Sequence, residues 1–61
     1  MDKLFIVTTF DFRYQSYRKV NVRFMGDEKV TLLSIQEKIE NYLQRNDFML
    51  IAWSPVDEFM F

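Results

Sequence analysis

Two kinds of stretch in this chain carry residue types capable of chemistry, and neither is arranged for catalysis. Adjacent carboxylates occur twice, Asp27-Glu28 and Asp57-Glu58, both in segments that read as loops. Carboxylates that share acid and base work face each other across a cleft, which sequence neighbours in a loop do not do. Their spacing matches no calcium loop, so solvated loop charge is their expected role. The 61 residues include no His and no Cys, which removes the commonest general base, the strongest nucleophile and two of zinc's preferred ligands. Gly26 is the only glycine, so no glycine-rich loop can cradle a phosphate. The expectation is a protein without catalytic residues, metal ligands or a cofactor.

The second stretch is a basic, aromatic hairpin. Arg13, Tyr14, Tyr17, Arg18, Lys19 and Arg23 interleave cations with rings. That composition binds single-stranded nucleic acid by phosphate contact and stacking. It is equally the composition of a charged edge hairpin, and Tyr and Arg are also enriched at protein interfaces. Charge is unevenly spread. Residues 1–25 hold five cations against two acids, and residues 26–61 hold three against seven. The pI near 5.2 counts against nucleic acid as the first reading, because domains that bind it usually carry a basic excess.

The elements that position these groups are legible from periodicity. Residues 3–12 read as a first strand, rich in β-branched and aromatic types. Residues 18–25 alternate cleanly: Val20, Val22 and Phe24 point one way, and Lys19, Asn21 and Arg23 the other. Between them, residues 13–17 lack a two-residue turn signal and predict a longer connection. Residues 26–29 form a loop. Leu32, Ile35, Ile39, Tyr42 and Leu43 then follow a helical stripe. Ser34 with Glu37 makes a capping box, and Thr31 is a competing cap one turn earlier. Glu37 and Glu40 early, with Arg45 late, suit the helix dipole, and Asn46 is placed to end the helix. Residues 48–53 read as a third strand. Ser54-Pro55 opens a tail that could supply a short fourth strand or a strap across the sheet.

The predicted fold is therefore α+β, one domain over residues 1–61. It is a small β-β-α-β layer, a mostly antiparallel three-stranded sheet with one helix packed on one face. The element order resembles the opening portion of the ubiquitin-like β-grasp, and element order carries no function with it.

One helix covers one face of such a sheet, yet strands 1 and 3 are apolar on both. Phe5, Val7, Met49, Ile51 and Trp53, or the alternate register of the same strands, would form a patch that another chain buries. The competing account folds Val56, Phe59 and Phe61 back over that face. The function expected from this pattern is a small non-catalytic protein–protein interaction module, self-associating as a homo-oligomer or docking on a larger protein. Single-stranded nucleic-acid binding through residues 13–23 is the alternative. The chain opens at Met1 without a signal peptide or an apolar run long enough to span a membrane. It reads as a complete small reading frame of the accessory-protein kind, and the absence of Cys suits a cytoplasmic location.

Overall fold

The computed structural model describes residues 2–56. Three strands and one helix are present: β1 (Lys3–Asp11), β2 (Ser16–Phe24), α1 (Leu32–Leu43) and β3 (Phe48–Pro55). They form a small α+β fold with one antiparallel sheet in the order β2-β1-β3. The central strand is β1, paired along both of its edges. The helix covers one of its faces, while Leu4, Ile6, Thr8 and Phe10 lie on the other.

Alternation along β1 and β2 decides what the helix covers. Phe5, Val7, Thr9 and Asp11 share the helix side with Val20, Val22 and Phe24. Ile35 and Ile39 descend onto them, and Phe48 completes the buried core from β3. Phe5 meets Phe24 edge-on, with ring centroids 5.8 Å apart, the arrangement that ring quadrupoles favour. The helix approaches β2 most closely, so the β3 half of this face is the less covered half.

β3 departs from simple alternation. Its register against β1 shifts between Thr8 and Thr9, where Ala52 faces Thr8, Leu50 faces Thr9 and Ile51 is the extra residue of a β-bulge. Each side of the bulge therefore follows a different phase. Leu50 and Phe48 point toward the helix before it, and Trp53 shares that side with Val7 after it. The strand runs two residues past the expected end, to Pro55. A proline is tolerated there because the strand lies at the sheet edge.

The helix boundaries correct two expectations. Thr31 is the N-cap, and its partner in the capping box is Ser34 rather than Glu37. Thr31 Oγ1 accepts the Ser34 N–H at 3.1 Å, and Ser34 Oγ accepts the Thr31 N–H at 2.9 Å. Glu37 is a turn too late to serve that end. At the other end Gln44, not Asn46, takes the left-handed conformation, and its N–H reaches the Glu40 carbonyl at 2.8 Å. The helix has no acidic residue in its first turn and no basic one in its last, so the expected dipole complement is absent. Leu32 and Tyr42 of the predicted stripe are exposed; they lie on the apolar face but in the first and last turns of the helix, away from its buried middle. The expected fourth strand, with Phe59 and Phe61, lies outside the described residues.

Candidate binding interface

Facing away from the helix, the sheet presents four rows of side chains set by strand register. Tyr17, Phe10 and Met49 lie side by side in the first, and Lys19, Thr8 and Ala52 in the second. Asn21, Ile6 and Ser54 form the third, and Arg23 and Leu4 begin the fourth. Phe10 is the hub of an aromatic group. Its ring stands 5.1 Å from Tyr17 across the strand pair and 5.6 Å from Phe12 along the chain, edge-on to both. Tyr17 is 70% exposed, and Phe12 and Met49 are about half exposed. Among the described residues nothing packs over these rings, and the molecule is only 15 Å thick in its shortest direction.

The cations of the hairpin divide into two sets. Arg13 and Arg18 belong to an ion network around Asp11, a carboxylate only 1% exposed at the end of β1. Arg45, just past the helix, reaches Asp11 with both terminal nitrogens and Asp47 with one of them. Arg13 lies 3.4 Å from Asp47, and Arg18 lies 3.9 Å from Asp11. Asp11 also accepts the N–H groups of Arg13 (2.9 Å) and Tyr14 (3.3 Å), which shapes the hairpin connection of residues 12–15 in place of a glycine turn. Gln15 completes that connection with a positive φ of 52°. Tyr14 lies over the Arg45 guanidinium at 5.6 Å. These contacts outweigh burial and hold the Asp11 carboxyl at about 2, with the Arg45 hydrogen bond contributing most. A carboxylate held that firmly ionised is a structural anchor, poorly suited to pass a proton.

Lys19 and Arg23 form the second set. Both project from the outer face, and neither has a carboxylate partner among the described residues. Asp11 is the only acid in the three strands, and it is turned to the helix side. Asp27 and Glu28 lie in the loop after β2. There Glu28 accepts the Met25 N–H at 2.6 Å and pairs with Lys38 at 3.3 Å, contacts that lower its pKa. Asp57 and Glu58 are outside the described residues. Among those described, no group of three or more acids could gather a metal ion.

The five residues expected to share an apolar patch do not lie on one face. Val7 is fully buried beneath the helix, and Phe5 is half-buried against the same core. Met49 lies on the outer face beside Phe10, Ile51 is the exposed bulge residue, and Trp53, 43% exposed, returns to the helix side. The alternate register of β1 is the one turned outward: Leu4, Ile6, Thr8 and Phe10. The hairpin residues separate likewise, with Tyr17, Lys19 and Arg23 on the outer face and Arg13, Tyr14 and Arg18 around the Asp11 network. Phe10 and Phe12 join the outer face without having been singled out. Their even spacing with Leu4 and Ile6 was the available signal.

Compared with protein-family models, curated proteins and solved structures, the chain matches none. No helix among the described residues is long and apolar enough to cross a membrane.

Proposed function

We propose that this protein is a small non-catalytic interaction module whose outer sheet face docks on a macromolecular partner. The observation that carries this reading is the aromatic group: Tyr17 and Phe12 each held edge-on to Phe10 on a face that the single helix does not cover. Large rigid rings are a common source of binding energy at interfaces, since they bury much area for few rotatable bonds. The ion network around Asp11 supports the reading indirectly. It ties the hairpin end to the segment after the helix, so the rings stand on a braced platform rather than on a loose loop.

The test uses Tyr17→Ser with Met49→Ser, two exposed outer-face changes, against Leu33→Ser on the exposed side of the helix. Each protein is immobilised and exposed to host lysate with and without nuclease, and its mass is followed by light scattering over a concentration range. Loss of bound material or of self-association in the outer-face variant alone supports the module. Equal behaviour of both variants removes the outer face from consideration.

A further inference from the structure

Charge and the order of the four rows say what kind of partner the outer face fits, an inference that rests on the docking reading. A protein interface concentrates apolar side chains at its centre, depletes Lys there and leaves charge to the rim. Here the order is reversed. The aromatic row lies toward one end and Leu4 with Ile6 toward the other, while Lys19 and Thr8 lie between them and Arg23 stands beside Leu4. A second copy is also a poor occupant. Stacking two outer faces would bring four unpaired cations into one interface, and the strands supply no carboxylate on that side. An ion left without its partner in a buried interface is costly.

We propose that the outer face binds single-stranded nucleic acid. Unpaired bases stack on rings displayed by a sheet, and stacking tolerates any base because each has a π-face. Tyr17 and Phe12 are the exposed rings, and Phe10 fixes the orientation of both. Lys19 lies two residues along β2 from Tyr17, about 7 Å away, and Arg23 about 13 Å beyond Lys19, at the usual strand rise. Both cations are available to phosphates because Arg13 and Arg18 meet the nearby carboxylates instead. Asn21 and Ser54 add neutral hydrogen-bonding groups in the third row. The acidic overall charge does not oppose this, since Glu37 and Glu40 belong to the helix on the other side of the sheet.

The test is fluorescence anisotropy with labelled twelve-residue oligo-U and oligo-dT as separate probes, and labelled poly-glutamate as a third. Binding to at least one oligonucleotide is expected, weakening steeply as salt rises because phosphate contacts release counterions. The paired change Lys19→Ala with Arg23→Ala should flatten the salt slope by roughly two phosphate contacts' worth. Tyr17→Ala should weaken binding by about tenfold. Lys29→Ala removes a loop cation away from the face and should leave binding unchanged; far-UV circular dichroism verifies the fold of every variant. Preference between oligo-U and oligo-dT tells RNA from DNA. Folded protein that binds neither oligonucleotide at low salt overturns the proposal, as does a loss caused equally by Lys29→Ala. Poly-glutamate binding that needs Lys19 and Arg23, without oligonucleotide binding, overturns it in favour of an acidic protein partner and leaves the docking module standing. If no probe binds, the protein stays monomeric at every concentration and lysate capture does not depend on Tyr17 and Met49, both readings fail.

Discussion

Asp11 does more than any other residue to join separate parts of the chain. It shapes the hairpin through two backbone N–H groups and anchors Arg45, 34 residues later, beside the start of β3. Such a carboxylate makes stability depend on pH in a direction that can be worked out. Its folded pKa of about 2 lies below the ordinary 3.8, so the folded state resists protonation more than the unfolded one does. Its stabilisation is complete above the unfolded value and is lost as pH falls through the folded value. Thermal melts followed from about pH 5 to about pH 2 should show a falling midpoint. Asp11→Asn should be less stable at neutral pH and lose less across that range. The remaining slope would come from Asp47 and Glu28, whose pKa values are also lowered. A parent midpoint that is flat over the range would contradict the network. Asp11 shares the parity of Val7 and Thr9 on β1, but both faces of that strand are apolar, so parity alone does not say that the helix buries it. Its partner is not legible either, because no local rule ties a strand's last residue to an arginine beyond the helix.

Among the elements, the helix shows how far periodicity reaches. The 3.6-residue stripe located Ile35 and Ile39, the two helix residues that are fully buried. It over-reached at Leu32 and Tyr42, in the end turns, since the pattern reports which face is apolar and not how much of the helix's length is covered. Ile39→Ala should cost ~2–5 kcal/mol through lost burial and a residual cavity. A core this small rarely supplies more than ~3–5 kcal/mol, so that variant should be mostly unfolded by circular dichroism at room temperature. The caps separate by a different comparison. Thr31→Ala should cost about 1 kcal/mol and Ser34→Ala a comparable or smaller amount, read from urea midpoints. Glu37→Ala should change the midpoint little, because Ser34 holds the place in the box that spacing alone gave to Glu37. Periodicity also located all three strands, and clean alternation correctly sorted the two faces of β2. It could not sort β3, where every residue from Phe48 to Trp53 is apolar and the extra residue at the bulge leaves no mark in such a run. Spacing consequently groups Trp53 with Met49, although the bulge sends them to opposite sides.

For the whole molecule, the uneven charge of the two halves becomes an arrangement in space. Lys19 and Arg23 point outward from the sheet, while the helix on the opposite side carries Glu37 and Glu40. The imbalance is legible along the chain, whereas only the folded contacts reveal that Arg13 and Arg18 are engaged by Asp47 and Asp11. A second whole-molecule feature is measurable by amide hydrogen exchange. β1 is hydrogen-bonded on both edges, so its central amides should exchange only through global unfolding, and the solvent-facing amides of β2 and β3 should exchange sooner. Uniform protection across the three strands would show that something covers the edges in solution. The two edges differ in kind. β3 carries the bulge at Ile51 and finishes at Pro55, both of which spoil it as a template for another strand, whereas β2 runs nine residues without interruption. Growth of a sheet by strand addition needs two receptive edges on every unit, one to join and one to be joined. This molecule has a valence of one: two copies paired at β2 would leave only bulged edges outside, so such pairing would stop at a dimer instead of propagating into a fibre.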